Sequence, residues 1–248
     1  MLIADFQRVL FVHAHPDDET LATGALIAQL TADGVQVDLV TCTRGERGEL
    51  VPGVLPGPVT PQELSRIREG ELATAVAHLG IEQHAFLGTP PASRDGQART
   101  YEDSGMEWVR PGLAGPAADA SPAAFSVQPV DDLVADLSAL VAATEPQAVL
   151  GYDAGGGYGH PDHVRAHEVA RLTAERAGLP FLEFVGWLDP EAETDADSFE
   201  WQDYPEHLPA LLAAHDAHRT QFTRDADLIT HVGGQQHPLV TRVGLRRG

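Results

Sequence analysis

Two short segments of the 248-residue chain gather the side chains most able to do chemistry. The first is His13-Ala14-His15-Pro16-Asp17-Asp18-Glu19, which packs two imidazoles and three carboxylates into seven residues. The second is Tyr158-Gly159-His160-Pro161-Asp162-His163. Asp and Pro are ordinary turn and helix-start residues. That accounts for one Asp of the first segment, but not for His15 beside two adjacent carboxylates. Imidazoles and carboxylates clustered in a cleft serve as metal ligands or acid–base groups. In the second segment His160 and His163 stand three apart, so they can face the same way, and His167 continues that face. Two His and one carboxylate around an open position form a recurrent catalytic set for zinc and for iron(II). His15, Asp17, Asp18, His160 and His163 are the candidates for it.

The flanking elements explain how segments so far apart meet. Val9 to Val12 is a short apolar run suited to a strand buried on both faces. Leu21, Ala25, Leu26, Ile27 and Leu30 then recur at helical spacing, Gly34 stops them, and Val35 to Thr41 reads as a second strand. Strand, helix and strand within about 40 residues make a βαβ unit with a right-handed crossover. Pro-rich loop follows from Arg44 to Pro61. Pro61 opens a helix faced by Leu64, Ile67, Ala75, Val76 and Leu79 and closed by Gly80. A short strand is expected at His84–Leu87 and a long Pro/Gly/Ala/Ser-rich loop at Thr89–Pro129. Val130 to Val141 carries the clearest amphipathic pattern. A strand at Ala148–Tyr152, a glycine-rich loop at Asp153–Gly159 and a helix at Pro161–Ala177 come next. Beyond them the pattern predicts a strand at Phe181–Trp187, a helix at Leu208–Phe222 and a final strand at Leu239–Val243. The fold class is α/β and Rossmann-like, a mostly parallel sheet with helices on both faces and a small C-terminal extension. Residues 1–180 form the catalytic domain and residues 181–248 complete it. Both clusters then lie past strand ends, on the rim where open parallel sheets bind ligands.

Composition narrows the chemistry. All 16 basic side chains are Arg, and the chain has no Lys and no Asn. A P-loop or a Schiff base would need Lys, and N-glycosylation would need Asn. A formal net charge of −21 argues against nucleic acid as a partner. The single cysteine, Cys42, excludes an internal disulfide and reads as a small core residue. No signal peptide or membrane span is evident, which leads to the expectation of a cytoplasmic protein with no membrane partner. The sequence leaves the oligomeric state open.

Ala14-His15-Pro16-Asp17-Asp18-Glu19 together with His160-Pro161-Asp162-His163 resembles the PIG-L/LmbE family of zinc-dependent N-deacetylases, and the separation of about 140 residues fits it. The resemblance covers residues 8 to about 177 well and the C-terminal third weakly. Thr41-Cys42-Thr43-Arg44-Gly45-Glu46-Arg47-Gly48-Glu49, Asp103-Ser104-Gly105-Met106 and Gly155-Gly156-Gly157-Tyr158-Gly159-His160 most resemble the deacetylases of low-molecular-weight thiol biosynthesis. Those act on N-acetylglucosamine linked to inositol (the mycothiol route). Relatives act on N-acetylglucosamine–malate (the bacillithiol route) or cleave mycothiol S-conjugates. The resemblance implies zinc, with iron(II) as the substitute, held by His15, Asp18 and His163. It implies Asp17 as general base, His160 as a transition-state stabiliser and Tyr158 as a residue that moves over the substrate carbonyl. Arg68 matches an Arg that holds sugar hydroxyls, and Glu49 and Asp103 fall where substrate is contacted.

The implied reaction is hydrolysis of an acetamide on an amino-sugar conjugate. Zinc would lower the pKa of water and polarise the carbonyl. Asp17, next to a ligand in sequence, would accept the water proton. A protonated His160 or the Tyr158 hydroxyl would face the oxyanion, and either Asp17 or His160 would protonate the departing amine. Asp162 reads equally as a carboxylate orienting a His and as an ordinary first-turn helix acid. His13, the last residue of the strand, reads as a packing residue or as one that supports a ligand, as does His167. His218-Arg219-Thr220-Gln221 resembles a His-x-Ser/Thr-Gln stretch of the family and is given a structural role. Two other readings are an amidase of thiol S-conjugates on the same fold and a non-catalytic carbohydrate-binding protein. Asp17 argues against the latter, because binding alone needs no base.

Overall fold

The computed structural model of the chain describes residues 2–186 and 196–248. Seven strands form one sheet in the order β3-β2-β1-β6-β7-β12-β8. The first five of these in spatial order are β3 (Gln83–Phe86), β2 (Gln36–Thr41), β1 (Arg8–His13), β6 (Ala148–Tyr152) and β7 (Phe181–Val185), all parallel. Next to them, β12 (Arg242–Arg247) runs antiparallel to both β7 and the edge strand β8 (Glu200–Asp203). Val9, Leu10, Phe11 and Val12 are essentially fully buried, as a central parallel strand covered on both faces requires.

The helices α1 (Asp18–Ala32), α2 (Pro61–Leu79) and α6 (Leu208–Ala217) pack together, and α3 (Val130–Thr144) packs on α5 (Pro161–Ala177). Right-handed crossovers that step from β1 towards β3 and from β6 towards β7 put these groups on opposite faces. Local chemistry sets the starts. Thr60 accepts from the Glu63 backbone N–H while the Glu63 carboxylate accepts from Thr60, with Pro61 at the first helical position of α2. His160 caps α5 by accepting from the Asp162 N–H, with Pro161 first in the helix.

Several expectations shift. The loop at Thr89–Pro129 contains a hairpin, β4 (Met106–Arg110) and β5 (Leu113–Pro116), turning at Pro111-Gly112. The helix expected over Leu208–Phe222 ends at Ala217, and β9 (Phe222–Asp225), β10 (Leu228–His231) and β11 (Gln236–Pro238) follow as a small antiparallel sheet. The last strand lies at Arg242–Arg247 rather than Leu239–Val243. Of the strand expected at Phe181–Trp187, β7 covers Phe181–Val185, and Trp187 lies outside the described residues. Among the described residues, no helix is long and apolar enough to cross a membrane.

Candidate active site

The sheet order reverses between β1 and β6: the chain steps from β1 towards β3 on one side and from β6 towards β7 on the other. A crevice opens past the strand ends at such a switch point. Past β1 the chain turns through Ala14–Asp17 into α1; past β6 it runs through the short glycine-rich α4 (Gly156–Gly159) into α5. His15 and Asp18 come from the first crossing, His160 and His163 from the second.

Their donor atoms converge. His15 Nδ1 lies 3.3 Å from His163 Nε2. One Asp18 oxygen is 3.3 Å from His15 Nδ1, and the other is 3.4 Å from His163 Nε2. The outer ring nitrogens are committed elsewhere: His15 Nε2 to Asp162 Oδ2 at 3.1 Å, His163 Nδ1 to the Gly156 carbonyl at 3.2 Å. Both partners only accept, so these nitrogens carry the N–H, and the network assigns lone pairs to His15 Nδ1 and His163 Nε2. The two lone pairs and the Asp18 carboxylate, one oxygen towards each ring, thus draw together, and a ring nitrogen of His160 lies within 4.8 Å of those of His15 and His163. Bonds of 2.0–2.1 Å in a tetrahedral site separate ligand atoms by about 3.3–3.4 Å, so the residues fit a divalent ion of zinc's size. Burial opposes a charge on His15, but Asp162, Asp18 and Asp103 outweigh it and raise its pKa well above the ordinary value, so that without an ion a proton takes the Nδ1 lone pair. Burial likewise opposes the Asp18 carboxylate, and His163 and His15 overcome it, driving that pKa well down. A cation is the natural complement of this set.

A layer of partners holds these three side chains. Asp18 Oδ2 accepts from the His15 backbone N–H at 2.8 Å and from the Tyr152 hydroxyl at 2.7 Å, and that hydroxyl accepts from the Ala14 N–H at 2.9 Å. Asp162, fully buried, accepts from His15, from the Ser104 N–H at 3.0 Å and from the Ser104 hydroxyl. It therefore orients a His as well as opening a helix. Asp103 is buried with Oδ1 3.8 Å from His15 Nε2, and it accepts from the Gly105 N–H at 2.8 Å. His13 is buried, 2.9 Å from Thr23 Oγ1 and packed on Phe184; His167 binds the Tyr152 carbonyl at 2.8 Å. Both are packing residues, and Cys42 is buried.

Asp17 precedes α1 with φ 114°, ψ −29°, a left-handed backbone that a non-glycine residue holds at a cost of order 1–3 kcal/mol. The turn is clamped from the far end of the chain. The Asp17 N–H donates to Glu19 at 3.0 Å; Glu19 pairs with His218 Nε2 at 2.8 Å, both side chains fully buried. Gln221 Nε2 donates to the Pro16 carbonyl at 2.5 Å, and Thr220 donates to Glu71 through N–H at 3.1 Å and hydroxyl at 2.6 Å. Burial and the neighbouring Asp18 charge raise the Asp17 carboxyl to about 8, against the pull of His218 and Arg68.

Burial, reinforced by His15 and His163, pushes the His160 pKa well below its usual value. Its Nδ1 accepts from the Asp162 N–H at 3.1 Å, which leaves Nε2 to carry the proton as a neutral donor. Burial, with the charges of Asp18, Asp17, Asp103 and Asp162, keeps the Tyr158 phenol protonated. Its ring lies 5.2 Å from that of His163. Arg68 is buried and donates to the carbonyls of Gly45 and Glu49, the latter at 3.0 Å. Glu49 meets Arg68 through its backbone, while the residue itself is exposed. Sequence reading missed Tyr152 and Glu71; Glu19, Ser104 and Gln221 stood in the motifs singled out, but without the partners they bind. Only Tyr152, a polar tip at the end of an apolar strand, carried a local signal.

The PIG-L family profile, described as GlcNAc-PI de-N-acetylase, matches residues 10–174. A 1D-myo-inositol 2-acetamido-2-deoxy-alpha-D-glucopyranoside deacetylase from Kineococcus radiotolerans is 46% identical, covering 89% of this chain and 70% of that protein. One of the same name (deacetylase 1) from Saccharopolyspora erythraea is 41% identical over 86% of this chain and 77% of its own. Among solved structures, a deacetylase of the teicoplanin biosynthesis pathway superposes with a TM-score of 0.64 at 18% identity, covering 97% and 98% of the two chains, a likeness of fold. With that profile spanning both clusters and the relatives matching most of its length, the chain belongs to the PIG-L family.

Proposed function

We propose that the protein is a metal-dependent N-deacetylase that releases acetate from an N-acetylglucosamine–inositol conjugate, the substrate class in the names of its relatives. The observation that carries this reading is the convergence of two imidazole lone pairs and a carboxylate on one point, with a further carboxylate, Asp17, outside the set. His15, Asp18 and His163 would hold zinc, or iron(II), which suits the same ligands. When bound, such an ion polarises the amide carbonyl and makes water more acidic.

The remaining work falls to the chain. Asp17 takes a proton from the attacking water. The His160 Nε2–H and the Tyr158 hydroxyl donate to the developing oxyanion, each typically worth about 3–4 kcal/mol. Because burial keeps His160 neutral, Asp17 returns its proton to the departing amine, giving acetate and the free amino sugar. Asp103 and Arg68 position the sugar, with Glu49 at the loop that Arg68 ties down. The partner is a small molecule, the location cytoplasmic, and residues 181–248 belong to the unit formed by 1–180.

The test is acetate release from N-acetylglucosamine carrying inositol, malate or nothing, with metal analysis of protein purified without added metal. The reading expects about one ion per chain, lost in His163→Ala, and preference for the inositol conjugate. A metal-loaded enzyme inert on that conjugate would refute it, and equal rates on all three substrates would refute the inositol assignment.

A further inference from the structure

The β4–β5 hairpin holds an aromatic ring that the hydrolysis itself does not use. Trp108 is 48% exposed, and its neighbour Val109 is 68% exposed. A large apolar ring left in water forgoes the stabilisation of burial, and such groups at the rim of a cleft mark a contact surface. Trp108 is placed rather than loose. Its ring lies 5.8 Å from that of Tyr158 with the planes 32° apart, and Tyr158 in turn lies 5.2 Å from His163. Three rings form a stair from the ligand cluster to solvent. The hairpin is also seated on the turn that carries Tyr158: a Cβ on Gly159 would lie 2.8 Å from both the Ala114 carbonyl oxygen and Leu113.

The geometry points to Trp108 as the platform for the second ring of the substrate, an uncharged polyhydroxylated ring joined to the amino sugar. The inference rests on the deacetylase reading and specifies what that reading leaves open, the hold on the aglycone. The acetamide must reach His15, Asp18 and His163, so the ring bearing it lies beside Tyr158 and Asp103. A group joined to that ring on its outer side continues along the stair and meets the indole. Saturated polyol rings present a face of C–H bonds, whose slightly positive hydrogens suit the electron-rich face of an indole.

Trp108→Ala and Trp108→Phe test this directly, because an exposed position tolerates both. The measurements are kcat and KM on the inositol conjugate and on free N-acetylglucosamine, and calorimetric affinity for the deacetylated inositol conjugate. The Ala variant is expected to raise KM for the conjugate about tenfold with kcat within about twofold, the pattern of lost uniform binding. It should leave free N-acetylglucosamine unaffected, and the Phe variant should recover most of the loss. An equal change on both substrates, or none on either, overturns the proposal. If the parent chain hydrolyses neither substrate, the deacetylase reading fails on its own. Calorimetry then decides on Trp108: weaker binding by the Ala variant supports it, and equal binding overturns it.

Discussion

Asp17, the proposed base, shows how much such a role depends on the backbone. Its φ of 114° turns the chain so that Asp18 faces the two imidazoles while Asp17 does not join them. Asp17→Asn keeps the side chain's size and removes the proton acceptor. Turnover is expected to fall by about 10²–10⁴ with metal content and melting temperature near the parent's. Acetate release at matched metal occupancy measures this, and a variant that works at the parent rate moves the base elsewhere. His15, Asp18, His160 and His163 were legible because each motif is local and chemically dense. The partners of Ser104, Glu19 and Gln221, residues also present in those motifs, were not, because they lie 58, 199 and 205 residues away. No window of sequence contains both ends of those contacts.

At the scale of elements, caps and close approaches carry measurable weight. Thr60→Ala removes the reciprocal cap of α2 and should cost about 1 kcal/mol, read from the urea midpoint, with activity intact because α2 starts far from the ligands in the chain. Gly186 is the opposite case. A Cβ there would lie 2.2 Å from the Ala22 carbonyl oxygen on α1, so Gly186→Ala must push apart β7 and the helix that begins with Asp18. Loss of stability and loss of activity together are expected, and an active variant with the parent's Tm would show that the contact relaxes freely. The parallel strands and long helices were readable from their periodicity. The helix at Leu208 was read five residues too long, and the reason is physical. Ala- and His-rich sequence favours continuing the helix, but His218, Thr220 and Gln221 are taken by Glu19, Glu71 and Pro16, so the backbone leaves after Ala217. The β4–β5 hairpin was hidden among Pro, Gly and Ala, though Pro111-Gly112 was a turn signal.

The whole molecule is built to be acid-sensitive. Burial lowers His13, His84 and His231 to about 4 and His215 to about 3. Unfolded imidazoles titrate near 6.5. Between roughly pH 6.5 and 4 the unfolded chain therefore binds more protons than the folded one, and stability falls as pH falls. His15 and His218, raised in the folded state, act in the opposite sense, their contribution being present in acid and lost as pH rises. His160 and His237 are lowered as well, and Asp17, raised to about 8, sides with His15 and His218. Six lowered imidazoles against these three groups give a Tm that drops from pH 6.5 to pH 5, where His15 and His218 no longer change. A differential scanning series checks it, and a Tm flat across that range would refute the buried-neutral assignment.

The clamp from the chain's far end onto the Pro16–Glu19 turn has a consequence for the order in which the molecule assembles. Closing a loop of about 200 residues costs entropy that only later contacts repay. The nucleus therefore forms among β1, α1 and β2, whose contacts are near in sequence, and the catalytic turn is locked last. During refolding, far-UV ellipticity should return before hydrolysis does, leaving a brief population with native helices and a slack, inactive turn.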